Sequence, residues 1–374
     1  LTTMDNMTRA ISLAHLAVGK TSPNPPVGAV VVKEGEIAGE GHTLPAGQSH
    51  AEIVALRQAG HKAHEAILYV TLEPCCIYGR TPPCTDAIIE AGIKEVHIAT
   101  IDPNSKVNGN GVSTLEAAGI KVCLGENSDQ AHSLYEAYSK HITSGLPFVI
   151  AKFAMTVDGK IATNTGDSKW ITGNIARRYA HQIRTECDAI MVGINTVLSD
   201  DPQLTARDEK NKPLSRQPIR IIVDSQVRTP IRARMLNEPG DTIIAVSNLS
   251  RKRVAGFDRA GVEVLPIPSP TNGKVNLSSL LEILGKRGIV RLMVEGGGSL
   301  LGSLFDHQLV DKVLAFIAPR ILGGANAPSP IEGQGISSIT EAISLKCVTV
   351  QHLGEDFLVT GYTQGTQELC SLES

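Results

Sequence analysis

The sequence predicts an α/β protein with two domains, and three observations support this prediction. At 374 residues the chain is too long for one ordinary hydrophobic core. Predicted strands alternate with predicted helices, a pattern typical of sheets covered by helices. The pattern restarts after Thr143-Ser-Gly-Leu-Pro147, which has the composition of a linker. We therefore expect one domain over 1–144, a second over 147–365 and a loose tail over 366–374.

The first domain is predicted to start with a helix and a hairpin. Apolar residues recur with helical spacing from Met4 to Val18, and Gly19 stops the helix. Two strands over 27–38 are joined at Glu34-Gly35. The later strands are expected at about 67–72, 95–101 and 120–124, and the later helices at about 50–60, 84–91, 112–118 and 128–143.

The second domain is predicted to be richer in strands. A strand over 148–155 leads to Asp158-Gly159, a pair that suits a tight hairpin turn. A helix over 173–186 then leads to a strand over 189–192. Further strands are expected near 219–224, 242–246, 262–266, 289–295, 312–318, 345–351 and 356–363.

Composition argues against several classes of function. The formal net charge is −3, so no overall basic field attracts nucleic acid. No apolar run reaches 18 residues, which argues against a membrane span. The chain has seven cysteines, an odd number, and two or three of them suit a metal site. This usage favours a reducing compartment, where disulfides are rare. We expect a cytoplasmic protein that binds neither nucleic acid nor membrane.

The most informative motif is His50-Ala51-Glu52, followed by Pro74-Cys75 and by Cys84. One imidazole and two thiolates give Zn²⁺ three protein ligands, and its fourth position remains for a water whose pKa falls toward ~7. Glu52 can then carry protons without binding the metal, as in base deaminases. On a helix, residues two apart point about 200° from each other. His50 and Glu52 can therefore serve one site only at the helix end.

A structural zinc site is the alternative interpretation. It would need a fourth Cys or His nearby. Cys76 is the nearest candidate, but a thiol adjacent to Cys75 seldom fits the same tetrahedron. Cys84 is predicted at a helix N-terminus, where the dipole favours thiolate. The sequence therefore favours a catalytic zinc.

A second candidate site lies where an apolar strand over 289–295 runs into Gly296-Gly-Gly-Ser-Leu-Leu-Gly-Ser303. Glycines allow a ligand to approach the backbone closely, and the following helix offers free N–H groups to phosphate. The spacing is not GxGxxG, and a tight turn remains the simpler interpretation. Trp170 could form a flat wall for an aromatic ring or pack in the core. Ser225 and Arg228 could bind a ribose 2′-phosphate.

These motifs resemble, over nearly the whole chain, the bifunctional deaminase–reductase family of riboflavin biosynthesis. Eight residues separate Cys75 from Cys84, which distinguishes this group from tRNA and cytidine deaminases, where the gap is commonly two. The matching segments are Thr21-Ser-Pro-Asn-Pro25, Val27-Gly28, His50–Glu52, Glu73–Cys75, Gly79–Cys84, Asp102-Pro-Asn104, Lys152, Asp158-Gly159, Trp170-Ile-Thr172, Asp188-Ala189, Thr196–Pro202, Leu204-Thr205 and Glu295–Gly298.

The resemblance implies a three-layer, cytidine-deaminase-like first domain and a dihydrofolate-reductase-like second domain. It implies His50, Cys75 and Cys84 as zinc ligands. Glu52 would be the catalytic proton carrier. NADPH would contact Ala154, Trp170, Thr196, Asp200, Ser225, Gly297, Gly298, Ser299, Leu300, Leu301, Gly302 and Ser303. Substrate would contact Ser168, Arg184, Leu204, Arg207 and Glu295 in the reductase, and Asn24, His42 and Arg80 in the deaminase.

The implied activity is two successive reactions on a phosphoribosylated pyrimidine. A diaminopyrimidinone is first deaminated, and the ribosyl group of the 5-aminouracil product is then reduced to ribityl. Asp200 and Lys152 are candidates for the proton donor in the reduction. Family members usually have histidine where this chain has Ile77, which cannot hydrogen-bond to substrate. We also expect a homo-oligomer, a dimer or tetramer, because reductase domains of this kind commonly pair.

Two rival interpretations remain. One is a nucleic-acid base deaminase fused to an oxidoreductase, which would need a basic groove with stacking aromatics. Aromatic residues are only 3% of this chain, which argues against it. The other is a non-catalytic scaffold that binds zinc and a nucleotide.

Overall fold

The computed structural model describes residues 5–79, 81–247, 254–268 and 273–363. The chain forms two compact units, Leu1–Leu146 and Pro147–Ser374. Arg80 and the predicted tail over 366–374 lie outside the described residues. Among the described residues, no helix has both the length and the apolar character needed to cross a bilayer.

The first unit contains a five-stranded sheet in the order β2-β1-β3-β4-β5. β1 pairs antiparallel with β2 and β3, whereas β3, β4 and β5 are parallel. The strands are β1 (Gly28–Lys33), β2 (Glu36–His42), β3 (Ile67–Val70), β4 (Glu95–Ile98) and β5 (Lys121–Leu124). The helices are α1 (Asn6–Ala17), α2 (Ala51–Ala59), α3 (Cys84–Glu90), α4 (Asn110–Ala117) and α5 (Ser128–Ser144).

Glycines let helices pack closely on both faces of this sheet. A Cβ on Gly28 would lie 1.9 Å from the Ala10 carbonyl oxygen of α1. A Cβ on Gly41 would lie 2.3 Å from the Ala51 carbonyl oxygen of α2. Gly41 pairs with Ala29, the neighbour of Gly28, and successive strand residues point to opposite faces. Helices α1 and α2 therefore cover opposite faces, which gives three layers.

The second unit contains a nine-stranded sheet in the order β10-β9-β8-β7-β11-β6-β12-β14-β13. The neighbours from β10 to β12 are parallel, and β14 and β13 add antiparallel pairs. The strands are β6 (Phe148–Thr156), β7 (Ala189–Gly193), β8 (Ile219–Val223), β9 (Thr242–Val246), β10 (Val262–Pro266), β11 (Arg291–Glu295), β12 (Lys312–Ala318), β13 (Lys346–Leu353) and β14 (Asp356–Tyr362). The helices are α6 (Asn174–Glu186), α7 (Ile194–Asp200), α8 (Leu277–Lys286) and α9 (Gly298–Asp306).

The predicted hairpin at Asp158-Gly159 is wrong, although a tight turn is present there. The Gly159 N–H donates to the Thr156 carbonyl, 2.9 Å away, and Gly159 has a φ of +76°. Both sheet neighbours of β6 are parallel strands distant in sequence, β11 and β12. The Asp158 carboxylate instead accepts N–H groups of Leu322 and Gly323. The turn therefore anchors the segment that follows β12.

Candidate active sites

In the first unit, three potential metal ligands converge at the ends of two helices. His50 is the N-cap of α2 and has extended backbone, with φ −75° and ψ 164°. Cys84 is the first residue of α3. The ligand atoms of His50, Cys75 and Cys84 all lie within 4.8 Å of one another. Because His50 stands outside the helix, the angular restriction on helical residues two apart does not separate its side chain from Glu52.

Cys75 is fixed by the start of α3. The backbone N–H of Cys84 points at the Cys75 sulfur, 3.4 Å away, and the Thr85 N–H donates to the Cys75 carbonyl, 3.2 Å away. The hydrogen bond with Cys84 lowers the pKa of Cys75 to about 4. The same interaction, together with burial, raises the pKa of Cys84. Cys75 is therefore the sulfur of this pair that ionises more readily.

Glu52 lies beside these ligands, and only 3% of it is exposed. Burial raises the pKa of Glu52 to about 7, and the nearby Cys75 adds to this effect. Among the described residues, its Oε2 is buried and has no hydrogen-bond partner. An unpaired buried carboxylate oxygen is costly, which is typical of a group kept for a ligand or reaction. Two sulfurs and one imidazole suit zinc, so the donor set fits that metal.

Glu73 is a functional support that the sequence motifs alone did not reveal. Its buried carboxylate accepts N–H groups from Asp102, Gly109 and Val112 at 3.0–3.2 Å. These bonds tie the loop that carries Cys75 to the start of α4. Burial raises the pKa of Asp102 to about 6, and Asp102 accepts a hydrogen bond from Tyr138. A carboxylate at the end of the strand predicted over 67–72 was the available signal.

The predicted substrate contacts of the first unit are less defined. Asn24 lies in a turn in which its N–H donates to the Thr21 carbonyl, 2.9 Å away. His42 ends β2 and is half-buried, and burial lowers its pKa. Ile77 is half-buried, whereas Tyr78 is exposed and donates to Asp86. The roles of Asn24 and His42 stay predictions.

In the second unit, a cavity of about 1550 Å³ lies where the parallel strands β6, β7, β8 and β11 end. Ligands of open α/β sheets bind in such crevices. Most residues predicted to bind cofactor or substrate line it. They are Ala154, Ser168, Trp170, Arg184, Thr196, Asp200, Leu204, Arg207, Ser225, Glu295, Gly297, Gly298, Ser299, Leu300 and Ser303.

Two of the predicted cofactor contacts lie elsewhere. Leu301 is fully buried in the core. Gly302 packs under residues 329–334, a strap that crosses α9, since a Cβ there would lie 2.1 Å from the Glu332 carbonyl oxygen. Trp170 is 63% exposed and carries the Arg177 guanidinium 4.5 Å from its ring centroid. Its ring therefore does not pack in the core, and it forms part of the cavity wall.

Arg184 and Glu295 bind each other. Arg184 donates from Nε to Glu295 Oε1 at 2.5 Å and from Nη2 to Oε2 at 2.9 Å. Lys152 Nζ lies 3.3 Å from Oε2, because Glu295 and Lys152 are register partners on β11 and β6. Burial opposes ionisation of Glu295, but Arg184 and Lys152 outweigh it and lower its pKa to about 2. The charges form a fixed, ionised triad.

Two other parts of the cavity are also built from polar contacts. His181 and Arg184 both contact the Thr205 carbonyl, and burial, together with Arg184, lowers the pKa of His181 to about 4. Sequence reasoning missed His181, which has no recognisable local motif. Elsewhere in the cavity wall, Ser168 donates to Asp200 at 3.2 Å.

Two protein families match the chain. Residues 2–100 match the cytidine and deoxycytidylate deaminase zinc-binding region. Residues 147–359 match the RibD C-terminal domain. Together with the two sites, these matches define the class: a deaminase joined to a reductase in one chain.

Similar proteins agree over nearly the full length. The riboflavin biosynthesis protein RibD of Aquifex aeolicus (strain VF5) is 44% identical over 353 residues, 94% of this chain and 96% of that protein. RibD of Escherichia coli (strain K12) is 40% identical over 360 residues, 94% of this chain and 96% of that protein. The solved structure of Acinetobacter baumannii RibD, form 1, is 36% identical with a TM-score of 0.84, covering 96% and 98% of the two chains.

A diaminohydroxyphosphoribosylaminopyrimidine deaminase/5-amino-6-(5-phosphoribosylamino)uracil reductase from Thermotoga maritima, also solved, has 36% identity and a TM-score of 0.84. The match covers 96% of this chain and 97% of the Thermotoga maritima chain. This chain belongs to the RibD family. It is a bifunctional enzyme of riboflavin biosynthesis, with a zinc-binding deaminase unit and an NADPH-dependent reductase unit. The predicted fold class is confirmed for both units.

Proposed function

We propose that the first unit deaminates 2,5-diamino-6-(5-phosphoribosylamino)pyrimidin-4(3H)-one at C2. Its ligands for zinc would be His50, Cys75 and Cys84, and zinc, when bound, supplies an activated water. The observation that carries this proposal is the buried, unpaired Oε2 of Glu52 beside those ligands. A bond from oxygen to C2 forms, and the bond from C2 to the amino nitrogen breaks.

Glu52 is the proton carrier in this reaction. A base must accept a proton from water, and an acid must give one to the departing amino group so that ammonia leaves. A carboxyl whose pKa is raised to about 7 can do both near neutral pH. Burial also excludes bulk water from Oε2, so the proton passes to the substrate. Asn24, His42 and Arg80 are the proposed contacts to substrate, and Arg80 lies outside the described residues.

We propose that the second unit reduces C1′ of the ribosyl group in the deaminated product. NADPH, when bound, supplies the hydride. The Gly297–Leu300 segment opens α9 at the carboxyl end of β11, where backbone N–H groups suit its phosphates. Trp170, Thr196 and Ser225 would contact the rest of the cofactor. Asp200 and Lys152 remain the candidate proton donors, and Lys152 is held 3.3 Å from Glu295.

Arg207, and not Arg184, is the better candidate for the substrate phosphate. Arg184 already uses Nε and Nη2 on Glu295 and Nη1 on the Thr205 carbonyl. Arg207 is partly exposed and lines the cavity, and its contacts are to the neutral groups of Thr205, Gln203 and Asn211. Within the part of the chain that the structure describes, Arg207 has no carboxylate partner, and such a guanidinium suits bidentate phosphate binding. Arg184 would position Glu295 instead.

We also propose a cytoplasmic homo-oligomer. β13 is an edge strand of the nine-stranded sheet, and its residues Val348 and Val350 are 53% and 62% exposed. An exposed apolar sheet edge favours pairing with another chain. A molecular mass near that of a dimer or tetramer by light scattering, reduced by Val350→Lys, would support this.

The direct test is to supply the diaminopyrimidine ribotide and measure ammonia, then NADPH absorbance at 340 nm. We expect ammonia release first and NADPH oxidation second, with ribityl product. Ammonia release from RNA oligonucleotides but not from the ribotide would favour the nucleic-acid deaminase. Zinc content without ammonia release or NADPH oxidation would favour the non-catalytic scaffold.

A further inference from the structure

A second group of side chains with metal-binding chemistry lies at the edge of the first unit's sheet. Its members are Glu95 and His97 on β4, Cys123 on β5 and Glu126 just after β5, and we call them the β4–β5 cluster. Glu95 and His97 are two residues apart on one strand, so they share a face. His97 is the register partner of Cys123 on the adjacent strand. The ligand atoms of Glu95, His97 and Cys123 all lie within 4.8 Å of one another.

The ring of His97 is held in one orientation. Its Nδ1 lies 2.8 Å from Glu126 Oε2, and its Nε2 lies 2.9 Å from Glu95 Oε1. The ring also stacks on Tyr69, with centroids 4.5 Å apart. A carboxylate can only accept, so Nδ1–H donates to Glu126 and Nε2–H donates to Glu95, and a metal bound at Nε2 would replace the proton on that nitrogen. A carboxylate behind a histidine is the usual support of a metal-binding imidazole.

A cation already occupies part of the cluster. Lys121 Nζ lies 3.0 Å from Glu95 Oε1, and the Lys121 side chain is 68% exposed. Cys123 Sγ also points at the same oxygen, 3.5 Å away. Glu95 is thus shared among an ammonium, an imidazole and a thiol. The flexible, exposed lysine can swing into solvent, whereas the other donors are fixed by the strands.

We propose that the β4–β5 cluster binds a divalent cation of the zinc class, with Glu95 Oε1, His97 Nε2 and Cys123 Sγ as ligands. Carboxylate, imidazole and thiolate together select zinc and similar metals over Mg²⁺ and Ca²⁺, which take oxygen ligands. Glu126 orients His97, and Lys121 competes with the metal for Glu95. No residue is shared with the His50 site, so this site is independent of deamination.

The site has a structural consequence, because β5 is the edge strand of its sheet. A metal bound by Glu95 and His97 on β4 and by Cys123 on β5 fastens that edge. A metal that binds only the folded state stabilises that state, and the stabilisation grows as the metal concentration rises above Kd. The Cys123 thiol loses its proton to solvent on binding, so uptake weakens as pH falls.

The test compares zinc uptake by the full-length zinc-containing enzyme and by its His97→Gln/Cys123→Ser double variant. Both are dialysed against micromolar Zn²⁺, and metal per chain and melting temperature are measured. We expect the wild type to bind one more zinc per chain and to melt at higher temperature with zinc. The variant should show neither effect and should release ammonia at the wild-type rate. His61→Gln, an exposed histidine outside the cluster, should behave as wild type.

The Lys121→Ala variant should bind zinc more tightly than the wild type, a result that misfolding cannot produce. Removing the competing ammonium should strengthen zinc binding about two- to fivefold, the equivalent of an exposed ion pair. If the cluster is only an ion-pair network, the wild type and the double variant take up equal zinc. That result, or weaker binding by Lys121→Ala, would overturn the proposal. Uptake of Mg²⁺ equal to that of Zn²⁺ would overturn the assigned ligands.

Discussion

Replacing Glu295 by glutamine should destabilise the reductase unit by about 3 kcal/mol at pH 7. The pKa of Glu295 is lowered from 4.5 to about 2, and each pKa unit corresponds to about 1.4 kcal/mol. Glutamine leaves the buried Arg184 without its charged partner, which costs about 3–5 kcal/mol in comparable sites. Both arguments give the same order of magnitude.

The assay is urea unfolding followed by tryptophan fluorescence. Trp170 is the chain's one tryptophan, so its emission reports on the second unit alone. The control is Glu263→Gln, whose carboxylate pairs with Arg287 at 2.7 Å but is 46% exposed. Exposed pairs contribute little, so the control should change the free energy of unfolding by less than about 1 kcal/mol.

The pH dependence of the stability difference between wild type and Glu295→Gln provides a second test, because the lowered pKa of Glu295 fixes the direction of the change. Because the folded-state pKa of Glu295 lies below the unfolded value, its contribution is complete above pH 4.5 and is lost as pH falls toward about 2. The difference between wild type and Glu295→Gln should therefore shrink between pH 5 and pH 3. A difference under about 1 kcal/mol at pH 7, or one that pH does not change, would refute the reasoning.

Four other predictions concern the two units. Arg207→Ala should raise the reductase KM with little change in ammonia release; equal loss of both activities would indicate misfolding. Gly302→Ala should weaken NADPH binding in calorimetry, because its Cβ would lie 2.1 Å from the Glu332 carbonyl and displace the strap over α9. Gly28→Ala should lower the deaminase unit's melting temperature, since its Cβ would lie 1.9 Å from a carbonyl of α1; an unchanged value would contradict the packing described. Zinc removal by a chelator should stop ammonia release and leave NADPH oxidation of the deaminated product intact.

Much of the fold could be predicted because its signals are local. The apolar runs of the second unit place strands such as Val262–Pro266 and Lys312–Ala318 at the positions the structure shows. Their order in the sheet has no such signal. Asp158-Gly159 has the composition of a hairpin turn, yet β6 finds its neighbours more than 100 residues away. Turn composition alone does not determine which strand pairs.

The features of the two sites also divide into those that local sequence signals predict and those that depend on contacts between distant residues. The ligand-bearing segments of the first unit lie within 35 residues and are recognisable from spacing. The Arg184–Glu295 pair joins residues 111 apart, so the sequence marked both side chains but not their mutual contact. Glu73 was visible only as part of a motif. Its role depends on three N–H groups contributed by a distant loop and helix.

The most direct measurement is ammonia release by Glu52→Gln, with zinc content and NADPH oxidation measured on the same sample. Glutamine has nearly the same shape but cannot carry a proton. We predict full zinc content, wild-type reduction of the deaminated product and ammonia release lowered by a factor of about 10²–10⁴ or more. Near-wild-type ammonia release in a zinc-loaded variant would contradict the assignment of Glu52.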